Sequence, residues 1–240
     1  MSQVLPAAEP DFKVTSEVTE HASHQFLPEY IEAYGKGLQR AQMRDVPQRR
    51  ARFFHLTQMF QLTRGVPGYT AEAGVFRGLS SYLTCHYLRR EIPTFKGETH
   101  FMIDSFEGLS EPVEKDGQFP AKRHDEGAFT HTSVDFVRET LCDFPDVNIF
   151  KGWIPEVFSD LPEQKYRFVH VDVDVYEPTL ASFRYFFPRM SPGGIMICDD
   201  FGPWADNKWP GCIRAINEFA NESGQVYAVL NTGNAMFIKR

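Results

Sequence analysis

GYTAEAGVFRGLSSYLTCHYLRR, residues 68–90, sets the fold class. Residues 68–75 read as a strand that narrows into small side chains, and LSSYLTCHYLRR (79–90) has the spacing of a helix. Gly74 and Gly78 stand between them and let the backbone turn from strand into helix. The pattern recurs downstream. THFMIDSF (99–106), VNIFKG (147–152), RFVHVDVDVY (167–176) and GGIMICDDF (193–201) read as further strands. SVDFVRETLCDF (133–144), PTLASFRYFFPRM (178–190) and GCIRAINEFANES (211–223) read as helices. Strands alternating with helices predict a mostly parallel sheet with helices on both faces. QVYAVLN and AMFIKR close the chain as strands, with only Thr232-Gly233-Asn234 between them, so a hairpin brings in one antiparallel strand.

Upstream, residues 27–64 carry apolar positions at helical spacing: Leu27, Tyr30, Ile31, Tyr34 and Leu38, then Phe53, Phe54, Leu56, Met59, Phe60 and Leu62. They predict two amphipathic helices that stop at Arg64-Gly65-Val66-Pro67-Gly68. Residues 1–24 read as a flexible polar lead-in. The expected division is therefore 1–66, a lead-in and helical extension, and 67–240, one α/β domain. Residues 107–132, with Gly108, Pro112, Gly117, Pro120 and Gly127, break the strand–helix rhythm. A loop of this length reads as a lid over a site, or else as a plain insertion.

The 22 Phe imply a large aromatic core, with a few left to line a pocket. A net charge of −7 argues against nucleic-acid or anionic-membrane partners. The short basic run Arg49, Arg50 and Arg52 reads as a solvated face. Four widely spaced cysteines form no CxxC pair, which excludes a zinc ribbon, and Cys198 reads as a small buried hydrophobe. No signal peptide or membrane span is apparent, so a reduced cytoplasmic setting is expected.

Chemistry concentrates at the strand ends, where open α/β sheets place their ligand crevice. The first exit offers Glu72, Gly74, Val75, Phe76, Gly78 and Ser80, a small-residue turn leading into a helix N-terminus. Its spacing is not that of a GxGxxG fingerprint. The second strand ends in Asp104-Ser105, suited to ribose hydroxyls or to a helix cap. The third ends at Gly152-Trp153, whose indole suits an adenine face or the core. Alternation along the fourth strand places His170, Asp172 and Asp174 on one face, and the fifth ends in Asp199-Asp200. Carboxylates gathered there repel one another unless neutralised, and oxygen-only ligands select a hard cation such as Mg²⁺, Mn²⁺ or Ca²⁺.

AEAGVFRGLSS, MIDSFEGL, HVDVDVYEPTL, MSPGGIMICDDF and PGCIRAINEF, in this order over roughly residues 68–220, resemble the macrocin O-methyltransferase family, which methylates sugar hydroxyls in antibiotic biosynthesis. The resemblance implies a Rossmann-like class I methyltransferase fold, S-adenosylmethionine as methyl donor and a catalytic Mg²⁺. It implies that Glu72, Gly74 and Gly78 border the donor, that Asp104 and Ser105 meet its ribose, and that Asp172, Asp199 and Asp200 hold the metal. Val175 stands where catechol-type enzymes place a Lys, so no Lys base is available there. Asp172 is the first candidate base, followed by His170 and Asp174. The expected substrate is a small hydroxylated molecule, and the N-terminal helices offer a surface for a homodimer or higher homo-oligomer. An NAD-dependent oxidoreductase would explain Asp104 but not the acids. A metal-dependent phosphoesterase would explain the acids but not Asp104. A non-catalytic binding module would leave the acidic cluster without purpose.

Overall fold

The computed structural model describes residues 27–117, 129–201 and 209–240. Among the described residues seven strands form one sheet: β1 (Tyr69–Ala73), β2 (His100–Asp104), β3 (Asn148–Lys151), β4 (Tyr166–Val171), β5 (Met190–Cys198), β6 (Tyr227–Val229) and β7 (Ala235–Ile238). Their order is β3-β2-β1-β4-β5-β7-β6. Pairings among β1 to β5 are parallel, and β7 runs antiparallel to both its neighbours. The predicted hairpin thus supplies the single reversed strand. The order switches direction between β1 and β4, which opens a crevice at their carboxyl ends.

Six α-helices are present among the described residues: α1 (Pro28–Arg40), α2 (Pro47–Leu62), α3 (Leu79–Glu91), α4 (Val134–Thr140), α5 (Tyr176–Phe186) and α6 (Pro210–Ser223). In α1 the buried positions Tyr30, Ala33, Tyr34, Gly37 and Leu38 recur at i, i+3, i+4, i+7 and i+8, one apolar stripe. Proline at the first turn starts α1, α2 and α6, where its missing N–H costs nothing. Helices α1 to α4 share one core with Phe168 and Ile197 of the sheet, and α5 and α6 share the other with Val169, Met196 and Phe237. Phe does much of the filling. Phe60 meets Phe168 edge-on at 5.4 Å, and Phe183, Phe219 and Phe237 form a contiguous cluster.

Three expectations change. The fourth strand ends at Val171, not Tyr176, so alternation does not decide where Asp172 and Asp174 point. The last ladder bond there is Asp172 N–H to the Ala73 carbonyl, 2.8 Å. Asp174 then takes a left-handed φ of 63° and folds the chain back towards α5. Likewise β5 starts earlier than expected, at Met190, and ends at Cys198, leaving Asp199 and Asp200 beyond the ladder. Finally, the basic run is not a solvated face. Arg50 is buried and paired with Asp45, and Arg49 and Arg52 line the main cleft. Helix α2 packs against the sheet through Phe53, Leu56 and Phe60, so residues on that face cannot stay in water. The centre of the expected lid, 118–128, and the lead-in lie outside the described residues.

Candidate active site

One cleft of about 560 Å³ opens over the carboxyl ends of β1, β2, β4 and β5. At one end its wall is the turn Gly74-Val75-Phe76 with Asp104, Ser105 and Gly152-Trp153; at the other are Asp172, Asp174 and Asp200. Of the residues singled out in the sequence, Gly74, Val75, Phe76, Ser80, Asp104, Ser105, Gly152, Trp153, Asp172, Asp174 and Asp200 line this space. Glu72, Gly78, His170 and Asp199 stand behind it. Trp153 is 39% exposed, on the cleft rather than in the core.

The turn is shaped by close packing. Gly74 has φ 88°, and a Cβ there would lie 1.9 Å from the Asp172 carbonyl oxygen. Only glycine lets the ends of β1 and β4 approach this closely. Phe76 follows with a positive φ of 48°, held by Asp104. Asp104 Oδ2 accepts from the Val75 and Phe76 N–H groups at 2.7 and 2.9 Å, and Oδ1 accepts from the Phe106 N–H at 2.7 Å. The carboxylate therefore organises the turn while presenting its edge to the cleft. Ser105 Oγ caps the following bend by donating to the Gly108 carbonyl.

Behind this wall runs a buried polar chain. Glu72 accepts from the Ser80 and Ser81 hydroxyls and pairs with His170 Nδ1 at 2.8 Å. His170 Nε2 lies 3.3 Å from Asp199 Oδ1, which also accepts from Asn234 Nδ2. Burial works against charge on His170, but Asp199 and then Glu72 outweigh it and hold the imidazole well above its ordinary range. The imidazole is clamped between two carboxylates, and its placement is that of a strut. His100 extends the chain to Ser81 and Thr70.

The acids divide into two groups that share Asp172. Ligating atoms of Asp172, Asp174 and Asp200 lie within 4.8 Å of one another, as do those of His170, Asp172 and Asp199. Burial, then Asp199, pushes the Asp172 carboxyl well up; burial, then Asp200 and Asp172, does the same to Asp174. Asp199 goes the other way, because Arg52 and then His170 outweigh its burial. Asp174 and Asp200 both have positive φ, 63° and 59°, a cost of order 1–3 kcal/mol each that concentrates at working sites.

Arg52 is the contributor not foreseen from the sequence. Its Nε lies 3.1 Å from Asp199 Oδ2 and its Nη1 3.7 Å from Asp200 Oδ1. The signal was there: Arg49, Arg52, Phe53, Leu56 and Phe60 fall on one side of a helix, so an Arg inside an apolar stripe needs a buried partner. Arg77 was also missed. It donates to the His131 and Gln42 carbonyls and ties the site to the end of α1. Leu109, Phe129 and Trp209 complete the rim. The described ends of 107–132 are pinned. Asp116 accepts from the Val113 and Tyr176 N–H groups, and Thr132 donates to the Phe76 carbonyl.

This fold and strand order define a class I methyltransferase domain. The calicheamicin methyltransferase CalS11 superposes with a TM-score of 0.65 over 89% of this chain and 93% of that one, at 18% identity. In sequence, the chain is 28% identical to mycinamicin III 3''-O-methyltransferase of Micromonospora griseorubida over 68% of its length. It is 31% identical to 8-demethyl-8-(2,3-dimethoxy-alpha-L-rhamnosyl)-tetracenomycin-C 4'-O-methyltransferase of Streptomyces olivaceus, again over 68%. The matches span 64% and 62% of those relatives' own lengths. The chain belongs to the macrocin-O-methyltransferase (TylF) family, whose model matches residues 13–234.

Proposed function

We propose that the protein transfers a methyl group from S-adenosylmethionine to a hydroxyl of a small natural product, a sugar hydroxyl first, with a divalent cation, Mg²⁺ or Mn²⁺, at the acids. The observation that supports this reading is a single cleft with a nucleoside-type wall at one end and clustered carboxylates at the other. Membership of the family supports the reaction class, and the relatives named for O-methylation of mycinamicin and of a rhamnosyl-tetracenomycin support a glycosylated acceptor.

In this proposal Gly74, Val75, Phe76 and Ser80 form the floor for the donor, Asp104 and Ser105 meet its ribose, and Gly152-Trp153 borders its base. Glu72 and Gly78 shape that wall from behind. Asp172, Asp199 and Asp200 hold the cation. All three are carboxylates, the donor type that suits a hard ion, and Asp172 is shared between the group it forms with Asp200 and the group it forms with Asp199. A cation held there would lower the pKa of the acceptor hydroxyl, and a bound donor would supply the activated methyl group. Asp172, the first candidate base, and Asp174 both face this space, where either carboxylate can take the hydroxyl proton. His170, enclosed between Glu72 and Asp199 and off the cleft surface, holds both in place rather than acting as the base. Leu109, Phe129 and Trp209 keep water from the line between donor and acceptor. Residues 107–132 serve as the lid, and residues 67–240 as the methyltransferase domain behind an N-terminal extension.

The test is conversion of S-adenosylmethionine to S-adenosylhomocysteine, followed by mass spectrometry, with a panel of glycosylated and phenolic acceptors. Turnover should stop in EDTA and return with Mg²⁺ or Mn²⁺. Full turnover in excess chelator would refute the metal reading while leaving the methyl transfer intact.

A further inference from the structure

Arg52 belongs to neither the donor wall nor the acids, yet it touches the acids. Its helix is fixed: Phe53, Leu56 and Phe60 are buried, and His55 Nδ1 meets Thr232 Oγ1 of the β6–β7 turn at 3.0 Å. Arg52 is therefore delivered to the cluster by packed scaffold and does not wander in from a loop.

What it faces is specific. Asp199 Oδ1 is already engaged by Asn234 and His170. Oδ2 is the oxygen left over, and that is the one 3.1 Å from Arg52 Nε. Neither of these two buried atoms completes an aligned hydrogen bond among the described residues. The contact is one of charge, without the directional bonds that make a carboxylate–guanidinium fork hard to replace. The guanidinium also leans on Asp200. Around it stand four carboxyl groups, Asp172, Asp174, Asp199 and Asp200, with the Arg49 guanidinium beside it on the same helix face. Four carboxyl groups gathered about one guanidinium leave an oxygen-rich face suited to a hard cation.

We infer that Arg52 is a resident counter-cation of the acidic cluster, screening Asp199 and Asp200 until a divalent ion displaces it from Asp199 Oδ2. The inference rests on the metal-binding reading proposed above. It gives Arg52 a positioning role with two opposed effects. Arg52 holds the acids together in the metal-free protein, and it weakens metal binding, because the ion loads against it. Arg49 and Phe53, on the same helix face, also line the cleft. Moving Arg52 away from the acids therefore rearranges the wall that contains them, linking metal loading to the shape of the acceptor pocket.

The experiment uses the full chain stripped of metal, without donor or acceptor. Mn²⁺ binding is followed by the electron paramagnetic resonance of free Mn²⁺ for wild type and Arg52→Gln. The variant should bind Mn²⁺ at least about tenfold more tightly, since a positive charge beside two ligands has been removed. Its metal-free melting temperature should lie below that of wild type, with the gap closing as Mn²⁺ is added. Equal affinities would overturn the inference and leave metal binding standing. No Mn²⁺ binding by either protein would remove the metal reading and this inference with it. A wild-type readout guards against a variant that fails to fold. The Arg52 Nε–H resonance, assigned by its loss in Arg52→Lys, should move on Mg²⁺ titration with the midpoint of binding. A resonance that stays put through saturation would overturn the displacement.

Discussion

Replacing Asp104 with Ala should destabilise the protein before any ligand is added. The carboxylate accepts three backbone N–H groups, from Val75, Phe76 and Phe106, at 2.7 to 2.9 Å. A hydrogen bond to a charged group contributes roughly 1.5–3 kcal/mol when shielded. Asp104 lies at a half-open cleft, so water replaces part of each bond in the variant and the low end of that range applies. Three such bonds, partly compensated, amount to about 2–4 kcal/mol. For a chain of this size that is a fall in melting temperature of roughly 5–15 °C. The loss should concentrate at the turn, because Phe76 needs its positive φ held in place. Calorimetry on the metal-free, ligand-free protein measures the first effect, and titration with S-adenosylhomocysteine measures the second. Donor-product affinity should fall by at least roughly 1–3 kcal/mol, through lost ribose contacts and a loosened wall. A variant that melts like wild type would refute the view that Asp104 organises the turn. Unchanged affinity would remove Asp104 from the donor site.

Gly74→Ala should cost about 3 kcal/mol or more in denaturant unfolding, from a left-handed backbone plus a Cβ 1.9 Å from the Asp172 carbonyl oxygen; a neutral result would mean that β1 and β4 are not packed this closely. His100 is pushed down to about 4, chiefly by burial, while an unfolded His titrates near 6.5. The unfolded chain therefore binds the extra proton first, and stability present above about pH 6.5 is lost as pH falls towards 4, by about 3 kcal/mol. His100→Gln should flatten that part of the pH–stability curve, and parallel curves for the two proteins would refute it. Asp174→Asn should lower turnover at least about a hundredfold, the scale of a lost general base, with S-adenosylhomocysteine affinity within about twofold of wild type; a matching loss of affinity would place Asp174 at the donor instead.

Much of the architecture was legible in the chain itself. GYTAEAGVFRGLSS announces a strand, a tight turn and a helix because small residues at 74 and 78 permit backbone paths that larger ones forbid. The alternation of strands and helices, and the short Thr232-Gly233-Asn234 link, determined a parallel sheet with one reversed strand, since these are local signals of period and turn. Clustering of the acids was also legible, because adjacent parallel strands end at the same edge. What the sequence left undecided depends on long-range packing. Strand register decided that pairing stops at Val171, so the left-handed backbone of Asp174, not alternation, aims the acids. The crossing of α2 over the sheet decided that Arg52, 120 residues before Asp172, is the cation beside Asp199. A pattern of charges along a helix shows which residues share a face. Only the packed structure shows what that face meets, because the partner's position is fixed by the core on the other side of it.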